Sequence, residues 1–272
     1  MNSEKSDVCC AIVTYNGNLN VERQVKELMN SCQLIIIDNH SSQDFVDYLI
    51  NLKLNYSFKL VLNDDNLGLS HALNQGLSYA KENGCKYLLT LDQDSFFYKE
   101  NIESLISSFA IDQKIASVGP SYKKNENSSF VNYLITSGNI VLVDVLASIG
   151  GYDEKLFIDN IDIEISFRLL KNGYKLYLNS DVFFEHKIGE YEKSYIFGIK
   201  YLSHSPDRFY WMYRNERYLL RKYRKIFKWL CFKSRIISLL CVCKVLLIER
   251  NKFKKIKMII RGWKDGKLLD IE

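Results

Sequence analysis

Tyr87-Leu88-Leu89-Thr90-Leu91-Asp92-Gln93-Asp94-Ser95 sets an apolar run directly against two carboxylates. A short continuous apolar run bounded by a polar turn reads as a buried strand, and acids two residues apart at a strand end can both turn toward one bound cation. That arrangement suits Mg²⁺ or Mn²⁺, hard ions that take oxygen ligands and are commonly held by one or two carboxylates together with a substrate's phosphates. A solvated turn satisfies a bare Asp-x-Asp equally well, so its meaning rests on the residues around it.

On either side of this run, short β-rich segments alternate with helical patterns, as βα units feeding a largely parallel sheet do. Strands are expected at residues 8–15, 34–38, 58–62, 87–91 and 116–119, with helices at 21–29, 45–52, 69–81 and 102–109. Ligands of open α/β sheets gather outside the carboxyl ends of the strands. Those positions hold Thr14, Tyr15 and Asn16, then Asp38 and Asn39, then Asp64 to Gly68, then Asp92 to Ser95. Past Pro120 comes a polar loop at 123–129; residues 140–149 and 161–170 read as helices, 176–178 and 182–184 as strands. From Pro206 onward the chain turns helical, basic and aromatic, which divides it into an α/β domain at 1–205 and an extension at 206–272.

The 272 residues, 47% of them hydrophobic, are enough for one large α/β core. Cys9, Cys10, Cys231, Cys241 and Cys243 lie in apolar runs and no Cys-x-x-Cys pair occurs. The cysteines therefore read as small buried hydrophobes in a reducing compartment, the cytoplasm. Residues 1–7 are polar, and no stretch reaches the roughly 18 apolar residues of a spanning helix, so neither export nor a membrane span is expected. Net charge is +5, with the basic residues crowded between Arg217 and Arg261.

A second acidic group, Asp159, Asp162 and Glu164, precedes Arg168. Acids at a helix start complement its dipole; one beside a cleft is equally suited to deprotonate a hydroxyl nucleophile. His186, after Val182-Phe183-Phe184, is a candidate metal ligand, and a structural histidine fits the same place. Asn66-Leu67-Gly68 and Asn74-Gln75-Gly76 bracket a helix start where main-chain N–H groups can meet a phosphate or sugar. Asp38 can accept a hydrogen bond from a base or ribose, or cap the next segment. The first turn, Tyr15-Asn16-Gly17-Asn18, lacks the Gly-x-Gly-x-x-Gly of dinucleotide enzymes, which disfavours hydride transfer.

Thr14-Tyr15-Asn16, Asp38-Asn39-His40-Ser41-Ser42, Asn66-Leu67-Gly68, Asp92-Gln93-Asp94-Ser95, Ser137-Gly138-Asn139, Gly150-Gly151-Tyr152-Asp153 and the Asp162/Glu164 segment, in that order, resemble the family 2 glycosyltransferases of the GT-A fold. Within that family, Leu91 to Ser95, Phe157-Ile158-Asp159, Ser205-Pro206-Asp207-Arg208-Phe209-Tyr210 and Arg214-Asn215 look most like bacterial rhamnosyltransferases. The resemblance covers residues 8–220. It implies a mixed, mainly parallel sheet flanked by helices, and inverting transfer of a sugar from a nucleoside diphosphate, dTDP-L-rhamnose first and UDP-hexoses second. The sugar would go to a hydroxyl of a lipid-linked or polysaccharide acceptor in cell-surface glycan synthesis. It further implies a divalent Mg or Mn cation on Asp94 and His186, with Asp92 near both ribose and metal. Thr14, Tyr15, Asn16, Asp38, Asn66, Gly68, Asn74 and Gln93 would serve the donor, with Asp38 reading the pyrimidine. The family's base lies six residues before the arginine of the acidic helix, which lands on Asp162 with Arg168 as anchor, Asp159 being the fallback. Many relatives carry Glu-Asp there, whereas this chain has Ile161-Asp162.

Arg208 and Arg214 carry guanidinium groups suited to phosphate oxygens, or are solvated helix charges. The extension mixes Tyr218, Trp229, Phe232, Ile236, Leu239, Leu240, Val245 and Leu246 with its cations, the pattern of a helix lying on an anionic membrane surface at the inner face of the cell membrane. Helices packed on the catalytic domain have the same composition. Two rivals remain. A nucleotidyltransferase needs a basic triphosphate loop after the first strand, and residues 14–20 contain no Lys or Arg. A nucleic-acid binder would not interleave its cations with large aliphatics, so no nucleic-acid partner is expected.

Overall fold

The computed structural model describes residues 6–17, 20–122, 126–184, 191–193 and 200–271. The chain divides into two compact units, Met1–Phe157 with Ile161–Lys187, and Ile158–Asn160 with Ile188–Glu272.

In the first unit, β1 (Val8–Thr14), β2 (Gln33–Asp38), β3 (Lys59–Leu62) and β4 (Tyr87–Asp92) run parallel. They continue through β5 (Ile115–Ser121), β6 (Ser129–Val131), β7 (Asn139–Leu142) and β8 (Lys175–Phe183) into one eight-stranded sheet, ordered β3-β2-β1-β4-β7-β5-β8-β6. β7 is antiparallel to β4 and β5, and β6 to β8, while β5 and β8 are parallel. This is the mixed, mainly parallel sheet expected.

The central strands are apolar on both faces because helices cover both. Cys10, Ile12, Leu34 and Ile36 pack with Val21, Val25 and Leu28 of α1 (Asn20–Leu28) and with Phe45, Leu49 and Leu52 of α2 (Gln43–Asn55). α3 (Leu69–Glu82) lies along β1 and β2 with Ala72, Leu73 and Ala80 buried. Each large side chain fully removed from water contributes about 1.5–3 kcal/mol, so this layering outweighs weak local preferences. α4 (Glu100–Ser107), α5 (Val143–Ser148) and α6 (Ile161–Lys171) complete the unit.

Two expectations are corrected. Residues 140–149 are not one helix: Ile140, Val141 and Leu142 pair with Leu89, Leu88 and Tyr87 as β7, and only then does α5 begin. A four-residue apolar run has no diagnostic periodicity, and a vacancy between β4 and β5 gives its β-branched side chains two partners. Residues 176–178 and 182–184 are not separate strands either; one strand, β8, takes in the first and reaches Phe183 in the second, with its pairing to β5 slipping between Pro120 and Ser121.

The second unit contains the antiparallel pair β9 (Tyr191–Lys193) and β10 (Lys200–Leu202), then α7 (Pro206–Tyr223), α8 (Lys228–Leu247) and α9 (Lys252–Asp265). α7 starts where the composition changes, with proline in its first turn and Ser205 accepting from the Arg208 amide. Phe209, Tyr213, Val245 and Ile259 form this unit's core. α7 and α9 approach so closely that a Cβ on Gly262 would lie 2.3 Å from the Tyr210 carbonyl oxygen, and one on Gly266 2.2 Å from that of Arg214. Gly262→Val should therefore cost about 1–3 kcal/mol, the usual penalty for overpacking. Urea unfolding of the full chain measures it; an unchanged midpoint would show that the helices separate freely.

All seven cysteines are free, and Cys9, Cys10 and Cys231 are buried as expected. Cys243 departs from that reading: it is exposed, on a face of α8 that points outward. Among the described residues no helix is long and apolar enough to cross a membrane.

Candidate active site

The carboxyl ends of β1, β2 and β4 are tied together by side chains. Asp38, 1% exposed, accepts hydrogen bonds from the Thr14 hydroxyl at 2.9 Å, the Ser41 amide at 2.8 Å and the Ser41 hydroxyl. Bonds to a carboxylate are stronger than neutral ones, so they lock the loop after β2. Asn16, at φ 46°, donates its amide to the Ser41 hydroxyl at 2.7 Å and accepts from the Ser42 amide at 2.8 Å. Gln93 accepts from the Tyr15 amide at 2.8 Å and donates to the Tyr15 carbonyl at 3.1 Å, joining the β4 turn to the β1 turn and leaving the Tyr15 ring 49% exposed. Thr14, Tyr15, Asn16, Asp38 and Gln93 are thus one connected cluster.

Asn66 and Gly68 belong to an adjoining amide network. Asn39 donates to Asn66 at 2.9 Å and accepts from Asn63 and from the Leu67 amide, while Asn66 accepts from the Gly68 amide. Gly68 has φ 88°, a left-handed conformation that only glycine takes cheaply, and a Cβ there would sit 2.7 Å from the Phe157 carbonyl oxygen. Asn74, in the second turn of α3, is committed elsewhere: it donates to the Tyr152 carbonyl and to Glu154 and accepts from the Tyr152 amide at 2.7 Å. That holds the Gly150-Gly151-Tyr152 turn. Arg168 holds it from the other side, donating to the carbonyls of Ile149 and Gly151 and pairing at 2.8 Å with Glu164, itself 1% exposed. Glu164 and Arg168 are structural partners that fix α6 and, with it, Asp162.

Asp92 and Asp162 both act electrostatically on Tyr122. Burial raises the Tyr122 phenol far above its ordinary range, and the negative charges of Asp92 and Asp162 raise it further. The phenol therefore keeps its proton, donating it to the Ser137 carbonyl. The Ser137 hydroxyl in turn accepts from the Asp92 amide at 3.0 Å and shares a hydrogen bond with Ser95. Asp162 lies in the first turn of α6, one oxygen accepting from the Ile163 amide at 2.9 Å. Asp94 is exposed at the tip of the turn. Tyr122 was not foreseen. Its one sequence signal is its place just past the end of β5; Ser137 stood in a recognised motif without a role.

In the second unit, Asp159 is held in a fork by Arg208, with Nε and Nη2 donating at 3.2 and 2.9 Å. Asp159 and Asn160 both have positive φ, 66° and 62°, and Asn215, fully buried, supports them by donating to the carbonyls of Ile158 and Asp159. Arg214 donates to Asn215 at 2.9 Å and lies over the Trp211 ring. His186 lies outside the described residues.

Among the described residues no three His, Cys, Asp or Glu side chains converge as a metal cage. The acids at the β4 turn, Asp92 and Asp94, are a donor set that fits Mg²⁺ or Mn²⁺, whose remaining positions substrate oxygens and water fill.

A family model described as "Glycosyl transferase family 2" matches residues 9–168, which run from β1 to α6 and include the Asp92, Tyr122 and Asp162 cluster. The chain belongs to glycosyl transferase family 2. The dTDP-rhamnosyl transferase RfbF of Shigella flexneri is 27% identical to this glycosyltransferase over 288 positions, covering 96% of this chain and 95% of the relative. GalNAc-T7, solved with UDP, GalNAc and Mn²⁺, superposes with a TM-score of 0.65 at 15% identity, over 86% of this chain and 51% of its own. This glycosyltransferase thus spans about half of the GalNAc-T7 chain. The mannosyltransferase PcManGT of Pyrobaculum calidifontis, solved with GDP-Man and Mn²⁺, matches 69% of this chain and 59% of its own with a TM-score of 0.59 at 14% identity. These two likenesses show the GT-A fold.

Proposed function

We propose that this glycosyltransferase moves L-rhamnose from dTDP-L-rhamnose, with inversion, onto a hydroxyl of a lipid-linked or polysaccharide acceptor in bacterial surface-glycan synthesis. Catalysis belongs to residues 1–205, and the basic extension, 206–272, keeps the enzyme at the inner face of the cytoplasmic membrane. The observation that carries the reading is the Ser137 link that ties Asp92, at the end of β4, to Tyr122, a phenol that feels the negative charges of both Asp92 and the helix-start acid Asp162. The near full-length likeness to a dTDP-rhamnosyl transferase favours that donor over UDP-hexoses.

Asp162 accepts the proton of the acceptor hydroxyl as its oxygen attacks the anomeric carbon opposite the leaving group; the new C–O bond forms as the bond to the nucleoside diphosphate breaks. Asp159 is the lesser candidate, since its carboxylate is already engaged by Arg208. Tyr122, whose phenol is raised by burial, is tied to the Ser137 carbonyl and plays a supporting part. Asp92 and Asp94, with His186 as third ligand, would hold a divalent cation, which when bound would supply positive charge to offset that of the departing diphosphate. The Asp38 and Gln93 clusters keep the donor loops in place.

A thermal-shift screen of dTDP, UDP and GDP with and without Mn²⁺ tests the reading. A ligand that binds only the folded state at about a hundred times its dissociation constant adds about 2.7 kcal/mol, which for a chain of this size raises the melting temperature by about 5–10 °C. dTDP with Mn²⁺ should give the largest shift. A larger shift from UDP would replace the donor, and none from any nucleotide would remove the proposal.

A further inference from the structure

The second unit carries a cavity of about 590 Å³ whose wall includes Arg217, Arg221, Arg224, Lys228, Arg235 and Lys267 and, among the described residues, no acidic one. Six cations around so small a space repel one another unless an anion joins them. Neutralisation from within the protein is slight. None of the six has an ion-pair partner among the described residues; Glu216, whose carboxyl burial raises, acts on Arg235 at longer range. Arg221 is positioned by donating to the carbonyls of Gly266 and Leu269, and Arg217 by lying over the Trp263 ring. The Arg217 Nε is buried with no hydrogen-bond partner, an arrangement that costs free energy while it lasts. α8 also opens at this cavity, with Lys228 as its first residue, no side-chain cap and no acid in its first turn.

The cavity adjoins an apolar stripe. Cys231 and Val245 face inward on α8, whereas Trp229, Phe232, Ile236, Leu239, Leu240, Leu246 and Leu247 are 43–72% exposed. Their spacing of three and four residues puts them on one side of the helix. By the same periodicity Lys228 and Arg235 flank the stripe on one edge, and Lys233 on the other, beside Lys244, which is already paired at 2.8 Å with the buried Glu249. Phe232 belongs to both the stripe and the cavity wall. An apolar stripe edged by cations matches an anionic bilayer: acyl chains against the stripe, phosphates against the cations.

We infer that the cavity formed by α7, α8 and the C-terminal residues binds the phosphate headgroup of an anionic membrane lipid, while the exposed stripe of α8 lies among the acyl chains. This turns the membrane location into a defined lipid site, and it rests on that location but not on which sugar is transferred. A single headgroup meets the guanidinium fork geometry that suits phosphate oxygens, and seating it removes the mutual repulsion of the six cations.

The full chain is tested by co-sedimentation with vesicles of phosphatidylcholine alone and with about one third phosphatidylglycerol. Wild-type protein should bind the anionic vesicles, with binding falling as salt rises. The triple variant Arg224→Glu/Lys228→Glu/Lys267→Glu should bind about 100-fold more weakly or worse, at roughly fivefold for each basic residue lost near the surface. All three positions are exposed, so folding is preserved; an unchanged dTDP-induced thermal shift verifies it. Trp229→Ser/Leu240→Ser should weaken binding without abolishing its dependence on anionic lipid. Equal binding to both vesicles, or an unaffected triple variant, overturns the inference. So does protection of the cavity by inorganic pyrophosphate with no vesicle binding, which would make the ligand a soluble phosphate. A stable dimer that Trp229→Ser/Leu240→Ser dissociates would assign the stripe to a second copy of the chain and likewise overturn it. Nucleotide binding is read separately, so loss of the lipid site leaves the donor assignment standing.

Discussion

Asp162→Asn is expected to lower sugar transfer by about 10²–10⁴-fold, the usual worth of a positioned general base, with donor affinity unchanged. The substitution is nearly isosteric, and the amide oxygen can still accept from the Ile163 amide as the carboxylate does. α6 keeps its first turn, and the buried pair of Glu164 and Arg168 that seats the helix is untouched. What disappears is a group able to take a proton and one of two negative charges beside Tyr122. Removing that charge moves the phenol back toward its ordinary range, still protonated near neutrality, so the Ser137 contact survives. Donor binding is measured by titrating dTDP into the variant, and transfer by release of dTDP from dTDP-L-rhamnose in the presence of acceptor. An Asp162→Asn protein that still transfers sugar at the wild-type rate ends the base assignment. The comparison variant is Asp159→Asn. It breaks the fork to Arg208 and leaves that guanidinium short of its partner, so it should act chiefly on the stability of the second unit and on the left-handed pair Asp159 and Asn160.

β1, β2 and β4 were legible because each of them buries both faces. A sheet covered by helices on both sides leaves continuous apolar runs, and Leu34 to Ile37 or Tyr87 to Leu91 can be little else. β7 was not legible for the complementary reason. Ile140 to Leu142 is too short to show a period, and its state is set by β4 and β5, partners about 20 to 50 residues away in sequence. The acids divide in the same way. Asp92 and Asp94 stand out because they interrupt an apolar run, and Asp162 stands out at a helix start. That Glu164 would be spent on Arg168, and Asp159 on Arg208, depends on side chains meeting after folding. Tyr122 was least visible of all. It follows the end of a strand and precedes a polar loop, and its role exists only because the Ser137 carbonyl returns to meet it.

The second large effect belongs to the Asp92-Gln93-Asp94 turn. Asp94→Ala should reduce metal-dependent turnover by about 10²–10³-fold, the loss that follows when one preorganised electrostatic contact to the leaving group is removed, with little change in thermal stability. Exposure makes the second half of that expectation: Asp94 lies at the surface of the turn, and surface substitutions away from caps and networks usually change stability little. Asp92 differs. Its amide is fixed by Ser137, which also receives Ser95, and its charge bears on Tyr122. Asp92→Ala should therefore cost activity and also loosen the cluster, lowering the melting temperature of the nucleotide-free protein where Asp94→Ala does not. Dialysis against EDTA separates the two causes. If Asp94 serves the cation, chelation of the wild-type enzyme should reproduce the Asp94→Ala rate, and added Mn²⁺ should restore the wild type but not the variant except at much higher concentration. An Asp94→Ala enzyme that responds to Mn²⁺ over the same range as the wild type would move the cation off this carboxylate and leave the Asp-x-Asp turn with a purely structural role.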